Sequence, residues 1–299
     1  MDFKKDISDY IKGELGYFNI TYSPSADLDS DLLKLFTIQK KFVYQFNRKV
    51  EISKELHFKI ENNHKHKNEI LKLKECLEKG IDINPNQTKN LFNYHVHDDL
   101  VYDWKIYHFH LTFEREYDSY FTKRTKEVLF AYITKDRALL LDVIKHPPHD
   151  IFANKILLEI IDRNWDGILL EANGVQGLSH NPSTKERFQL RKYNLNEGII
   201  EVNGKFIFSP GLGQVSSGHS AEEVMKLNQL NRWLKTNEKA ILQNKDTIDI
   251  MFMKSHSLRT KPEYEIVFTD QGPQIWDRNT KTCLVKYNEI ISMNESTNR

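Results

Sequence analysis

The first third of the chain carries apolar residues at helical spacing. Residues 31–50 place leucines and phenylalanines three or four positions apart, and residues 53–79 continue this spacing. Positions three and four apart share one face of an α-helix, so both segments are predicted to be amphipathic helices. Gly80 follows the second segment and is a predicted helix C-cap. We therefore predict a mainly helical N-terminal region over residues 1–95.

The spacing changes to that of strands in the middle third. Residues 106–113 alternate around two histidines, and two apolar runs, at 128–134 and 138–144, are separated by a short polar connection. Alternation predicts a strand, and two apolar runs joined by so short a turn predict an antiparallel hairpin. Residues 151–164 return to helical spacing. Together these segments predict an α+β core over residues 96–166.

The last third changes pattern again. Residues 173–185 are rich in Gly, Ser, Asn and Pro, which predicts a loop or a domain boundary. Strands are predicted about the Asn203-Gly204 turn, followed by a helix over residues 220–242 and a small antiparallel sheet nearer the end. We predict a C-terminal α+β extension over residues 167–299, so that the fold class of the whole chain is α+β.

Composition and charge narrow the classes of function. Hydrophobic residues make up 39% of the 299 positions and charged residues 28%, which is enough to bury a core. Lys and Arg number 43 against 42 Asp and Glu, which argues against a protein that coats DNA or anionic membrane indiscriminately. Only two cysteines occur, which excludes a disulfide scaffold and fits a reducing compartment. With no long apolar stretch and no signal-like start, we expect a cytoplasmic protein without a membrane partner.

Two histidines on one predicted strand are the first candidates for chemistry. His108 and His110 share one face of residues 106–113, while Tyr107, Phe109 and Leu111 share the other. The apolar side chains can pack on a core, which directs the imidazoles toward a cleft or solvent. Histidine suits proton transfer near neutral pH. Two edge histidines without a chemical role are the plain alternative.

Basic residues flank the predicted hairpin on both sides. They are Lys123, Arg124 and Lys126 before it, and Lys145, His146 and His149 after it. Because the hairpin folds back, both ends can approach the two histidines. RNA phosphodiester cleavage needs a base, an acid and cations that hold the negative phosphorane. We therefore predict RNA-binding roles for Lys123, Lys126, Lys145 and His146, with a solvated turn as the alternative for the first basic segment.

The order of these motifs resembles the core of the YafO-type mRNA interferase toxins, which have the RelE-like fold. The motifs are Ile106-Tyr-His-Phe-His-Leu111, Lys123-Arg-Thr125, the apolar hairpin, and Lys145-His-Pro-Pro-His149, and the resemblance spans residues 80–165. It implies a metal-independent endoribonuclease in a bacterial toxin or phage-defence setting. The implied substrate is mRNA at the ribosome, with an antitoxin as inhibitor. His108, His110, Arg124 and His149 match positions of the family pattern, whereas His146 stands where a proline is expected.

Two further classes of function compete with this interpretation. His95 and His97 precede His108 and His110, and the two His-x-His pairs with Asp98 or Asp99 could hold Zn or Mn in a hydrolase. We predict instead that the protein uses no metal and no cofactor. The other alternative is a non-catalytic module that binds nucleic acid or protein with the same fold.

A Gly-rich segment is the last candidate. Residues 209–218 are rich in Gly and Ser and lead into the predicted helix at 220–242, an arrangement that can cradle phosphate through backbone amides. The segment lacks the spacing of a P-loop or a dinucleotide site, so a plain loop is favoured.

Overall fold

The computed structural model describes residues 1–145, 153–257, 259–287 and 289. In this part of the chain the helices are α1 (Phe3–Tyr17), α2 (Leu28–Lys41), α3 (Lys54–Glu61), α4 (Lys67–Lys79), α5 (Asp99–Trp104), α6 (Ile156–Asn164), α7 (Thr184–Lys192), α8 (Ala221–Gln243) and α9 (Lys245–Ser255). The strands are β1 (Lys49–Ile52), β2 (Ile106–His110), β3 (Glu127–Ile133), β4 (Arg137–Lys145), β5 (Leu170–Glu171), β6 (Ile199–Val202), β7 (Lys205–Phe208), β8 (Tyr264–Thr269), β9 (Gly272–Asp277) and β10 (Thr282–Val285). The chain is α+β with a helical N-terminal region, as predicted.

Contacts divide the chain into two compact units. The larger comprises residues 36–224, and the smaller joins residues 1–35 to residues 225–299. These units follow packing, whereas the predicted ranges 1–95, 96–166 and 167–299 follow changes in sequence pattern. The three ranges stay a prediction about domains.

The main sheet of the larger unit has the strand order β1-β4-β3-β2. Strands β2, β3 and β4 pair antiparallel, which confirms the hairpin predicted from the two apolar runs. Strand β1 pairs parallel to β4, with Lys49 opposite Arg137, so the sheet is mixed. Its four strands thus come from two stretches of chain far apart in sequence.

Both faces of this sheet are covered. One face contributes Tyr107, Phe109 and Leu111 to a core shared with the buried residues of α3 and α4. The other contributes Ile106 and Phe130 to a core shared with α6 and with the β6–β7 hairpin. The second layer matters for the candidate site, because a side chain on that face is enclosed rather than exposed.

The helix predicted over residues 31–50 is wrong in its second half. Helix α2 ends at Lys41, and the last residues of the range form β1. Arg48 explains the intervening irregular segment, because its guanidinium donates hydrogen bonds to the carbonyls of Tyr44, Phe46 and Thr134. These bonds replace the backbone bonds that a continued helix would make.

The range 53–79 is two helices rather than one. Helix α3 ends at Glu61 and α4 begins at Lys67, with Asn63 in the left-handed region at φ 55° between them. The predicted C-cap is confirmed: Gly80 has φ 65°, and a Cβ there would lie 3.1 Å from the carbonyl carbon of Phe46. A side chain at this position would therefore be strained and crowded.

The later segments follow their patterns closely. Strands β6 and β7 pair about the Asn203-Gly204 turn, and the terminal sheet has the order β10-β9-β8. In the smaller unit, α1 packs against β8, where Tyr10 stacks on Phe268 and Asp6 accepts a hydrogen bond from the N–H of Ile266. None of the helices in the described part of the chain is both long and apolar enough to cross a membrane.

Candidate functional site

The two histidines of β2 lie on one face of the sheet, as predicted, but not in solvent. Ile106 belongs to the core beneath α6, and alternation places His108 and His110 on that same face. Only 9% of His108 and 1% of His110 is exposed. Of the two predicted surroundings, a cleft or solvent, solvent does not apply, because α6 and the β6–β7 hairpin cover this face.

His110 opens instead onto a cavity of about 240 Å³, which we call the cationic cavity. Its lining residues are His110, Arg124, Thr125, Lys126 and Lys145. The three cations are exposed and the imidazole is buried. No ion pair to an acidic side chain involves these three cations within the described residues. The described lining of the cavity is therefore net positive at neutral pH.

Thr125 fixes the imidazole of His110. Its backbone N–H donates to Nδ1 of His110 at 3.1 Å. Its hydroxyl accepts a hydrogen bond from the N–H of Leu111 at 3.0 Å and donates one to the carbonyl of Glu127. One residue thus ties the end of β2 to the start of β3.

This contact also sets the tautomer of His110. A ring nitrogen that accepts a hydrogen bond carries no proton, so the neutral imidazole carries its proton on Nε2. Nδ1 already accepts a hydrogen bond from an N–H group, so Nε2 is the ring nitrogen that carries the donor proton. His110 therefore fits the role of a hydrogen-bond donor better than that of a base.

A buried asparagine donates hydrogen bonds to the backbone at the end of β2. Asn86 lies in the short 3₁₀ turn Asn84–Asn86 and is 2% exposed. Its Nδ2 donates to the carbonyls of His110, at 2.9 Å, and of Thr112, at 2.7 Å. Asn86 and Thr125 were not among the predicted site residues. Their side chains act over 14 to 26 positions of sequence, which local patterns do not reveal.

His108 occupies a different environment from His110. Its Nδ1 lies 3.8 Å from Oδ2 of Asp98, and its ring centroid is 6.0 Å from that of Phe130. Asp98 caps α5 by accepting a hydrogen bond from the N–H of Val101. Burial raises the pKa of Asp98 to about 6, although the buried ammonium of Lys41 opposes this. His108 does not line the cationic cavity.

The remaining predicted residues divide into two groups. Lys123 is exposed and forms an ion pair with Glu114 on the preceding polar segment. His146 and His149 lie outside the described residues. The structure thus brings together His110, Arg124, Lys126 and Lys145, while Lys123 and His108 point to other partners.

The four histidines of the metal alternative are not gathered. Within the described residues, no three His, Cys, Asp or Glu side chains are placed to hold a metal ion. His97 lines a separate cavity with Asp99 and Gln214. The spacing His-x-His therefore does not translate into a shared ligand set here.

The Gly-rich segment uses its amides internally. The N–H of Gln214 donates to the side chain of Asn196, that of Val215 to His219, and that of Gly218 to Val215. Amides engaged in this way are not available to a phosphate, which supports the plain-loop interpretation.

Comparisons with known proteins find no match among protein-family models, curated proteins or solved structures. The resemblance to the YafO-type toxins therefore stays a hypothesis that its motifs carry.

Proposed function

We propose that the protein is a metal-independent endoribonuclease that binds RNA in the cationic cavity and cleaves it by attack of the ribose 2′-hydroxyl. One observation carries the proposal. Three cations and a buried imidazole, drawn from the end of β2, the segment before β3 and the end of β4, line a single cavity. Phosphate groups are bound by such clusters, and Arg124 can form two parallel hydrogen bonds to one phosphate.

Charge stabilisation is the contribution that the described residues support best. Attack by the 2′-oxygen produces a phosphorane with more negative charge than the substrate. Arg124, Lys126 and Lys145 would hold that charge, and the imidazole of His110 would form part of the same wall of the cavity. Because Thr125 fixes His110, little reorganisation accompanies the reaction.

The reaction balances without a cofactor. The bond from the 2′-oxygen to phosphorus forms, the bond from phosphorus to the 5′-oxygen breaks, and one proton moves overall from the 2′-hydroxyl to the 5′-oxygen. The products are a 2′,3′-cyclic phosphate and a 5′-hydroxyl. Residue type suggests proton transfer by His108 and His110, and the resemblance adds His149 as a matching position. Of these, the described part of the cavity contains His110 alone.

The resemblance also supports a biological setting as part of the proposal. We place the activity in a bacterial toxin or phage-defence system, with mRNA as substrate, cleavage at the ribosome and an antitoxin as the inhibitor. The cytoplasm is the matching compartment. The RelE-like fold belongs to the same proposal.

A non-catalytic RNA-binding protein is the second candidate. The observation that favours it is the separation of the two imidazoles, since His108 faces Asp98 whereas His110 faces the cavity. A phosphate-binding cavity with one imidazole can bind RNA without cleaving it.

Product chemistry tests the proposal. The purified chain is incubated with a labelled single-stranded RNA and with the same sequence carrying 2′-deoxy sugars. We expect cleavage of the RNA only, with 2′,3′-cyclic phosphate ends. His110→Asn should remove cleavage, because asparagine can still accept the hydrogen bond from Thr125 but lacks the imidazole ring. Equal cleavage by wild type and His110→Asn would contradict the assignment, and RNA binding without cleavage would favour the second candidate.

A further inference from the structure

A second cavity of about 250 Å³ lies in the larger unit, between the start of α5, helix α7 and the Gly-rich loop. Its lining includes His97, Asp99, Phe188, Arg191, Lys192 and Gln214. We call it the Gln214 cavity. None of these residues belongs to the cationic cavity, and this volume is small beside the ~300–1,000 Å³ of sites for drug-sized ligands.

The loop that carries Gln214 is held firmly. The side-chain amide of Asn196 pairs with the backbone of Gln214 at both its N–H, at 2.9 Å, and its carbonyl, at 2.5 Å. Glycines permit this close approach: a Cβ on Gly213 would lie 2.3 Å from Asn196, and one on Gly218 would lie 2.4 Å from the ring of His97. Both glycines have positive φ.

The side chain of Gln214 is equally well placed. It is 8% exposed, and its Nε2 donates to Oδ1 of Asp99. The loop therefore presents a fixed amide group to the cavity, already oriented before any ligand binds.

The wall of this cavity is polar but close to neutral. Arg191 is balanced by two carboxylates, with Nη1 3.4 Å from Asp99 and Nη2 2.5 Å from Asp103. Burial lowers the pKa of His97, which Asp99 and the amide of Gln214 partly offset. A balanced wall disfavours a second phosphate site and suits a neutral ligand with several hydrogen-bonding groups.

The rim adds an aromatic surface and one exposed cation. Lys192 places Nζ 4.5 Å from the ring centroid of Phe188, and the lysine itself is exposed. An aromatic ring beside hydrogen-bonding groups is the arrangement that reads unstacked bases of single-stranded RNA. Lys192 is positioned for the phosphate attached to such a base.

We infer that the Gln214 cavity binds one nucleobase of single-stranded RNA, with the ring against Phe188, its polar edge toward Gln214, His97 and Asp99, and its phosphate at Lys192. The inference rests on the proposed function, since it makes the cavity a base-reading subsite for the same RNA. One pair of side chains connects residues of the two cavities: Asp99 follows Asp98, which faces His108, two residues before His110 on β2.

Binding of the four nucleoside 5′-monophosphates to the full chain tests the inference directly by titration calorimetry. We expect at least one to bind, with discrimination among the four. Gln214→Met should weaken that binding about tenfold or more, because a base edge loses its polar partner. The matched control is Gln189→Met, the same change at an exposed position of α7 outside the cavity lining. Lys192→Gln, also at an exposed position, should weaken binding of the monophosphate but not binding of the nucleoside. This variant tests the inference if Gln214→Met does not fold.

The outcomes separate the two proposals. If no monophosphate binds, or if Gln214→Met binds as wild type does, the base subsite is overturned even when the protein cleaves RNA. If a monophosphate binds in a Gln214-dependent way but wild type cleaves no RNA, the nuclease proposal fails and the base subsite stands. If the protein cleaves RNA and also binds a monophosphate through Gln214, the base preference at mapped cleavage sites should change in Gln214→Met. His110→Asn should instead abolish cleavage.

Discussion

The cationic cavity and the Gln214 cavity are similar in volume, at about 240 and 250 Å³. They differ in whether acidic side chains balance the cations of their lining. In the first, Arg124, Lys126 and Lys145 form no ion pair with an acidic side chain of the described residues. In the second, Arg191 lies between two carboxylates. Unbalanced cations suit an anionic backbone, and balanced polar groups suit a neutral base. The same kinds of residue thus predict different ligands once their partners are known.

The largest effect should come from the guanidinium of the cationic cavity. Arg124→Ala should lower the rate of RNA cleavage about 10²–10³-fold, because one preorganised charge contact to the transition state is lost. Single-turnover kinetics on a defined RNA measures this. Arg232→Ala, the same change at an exposed position of α8, is the control and should keep the wild-type rate. A wild-type rate in Arg124→Ala would remove the catalytic role of this cavity.

The next effect concerns Asp98, which precedes Asp99 of the Gln214 cavity and faces His108. Burial raises its pKa to about 6. Between pH 4 and that value the folded state keeps a proton that the unfolded state has lost, so the free energy of unfolding falls as pH rises. In Asp98→Asn, this decrease in the free energy of unfolding should be smaller by on the order of 2 kcal/mol.

Urea unfolding at pH 4.5 and pH 7.5 tests this expectation. Asn can still cap α5, which keeps the helix start intact. Asp246→Asn, on an exposed carboxylate of α9, is the control and should leave the pH dependence unchanged. Parallel pH dependences in wild type and Asp98→Asn would show that the carboxylate is not destabilised by burial.

A smaller effect distinguishes the lysines. Each phosphate contact adds about 0.7 to the slope of log affinity against log salt for a single strand. Lys126→Ala and Lys145→Ala should each lower the magnitude of that slope by about this amount. Lys123→Ala should change it less, because Lys123 already pairs with Glu114. Fluorescence anisotropy of RNA binding across a salt series gives the slopes, and equal changes for all three lysines would contradict the proposed division.

The smallest expected effect is none at all. Strong chelator should leave the melting temperature and RNA cleavage unchanged, because neither cavity is proposed to use a metal. A large loss of either property, restored by Zn or Mn, would favour the alternative in which the two His-x-His pairs bind a metal. Thermal melting and the cleavage assay, each with and without chelator, are the two measurements.

Local patterns were enough to predict some parts of this molecule. The β3–β4 hairpin, the β6–β7 hairpin, α8 and the terminal sheet each depend on contacts between neighbouring segments. The grouping of His110 with Arg124, Lys126 and Lys145 follows from the hairpin, because a strand that returns brings its two ends together.

Other parts depend on contacts that no local pattern contains. Strand β1 pairs with β4, 88 positions further on, and only its first two residues fall in the range predicted to be helical. Asn86 and Thr125 position His110 through hydrogen bonds that span distant segments. The face of β2 that carries the histidines was correctly identified, but its covering by α6 comes from packing alone. Local sequence patterns therefore predicted the shared strand face of the two histidines, but not what covers it.

The smaller unit is built from two separate ranges of sequence, which has a consequence for biosynthesis. Residues 1–35 pack with residues 225–299, so they emerge from the ribosome before the intervening 189 residues of the larger unit. At about 5–20 residues per second, that interval lasts roughly 10–40 s. During this time α1, whose buried residues are Phe3, Ile7, Ile11 and Leu15, has no β8 to pack against. The nascent chain is thus exposed to chaperone binding at its first helix, while the larger unit, continuous in sequence, can fold during synthesis.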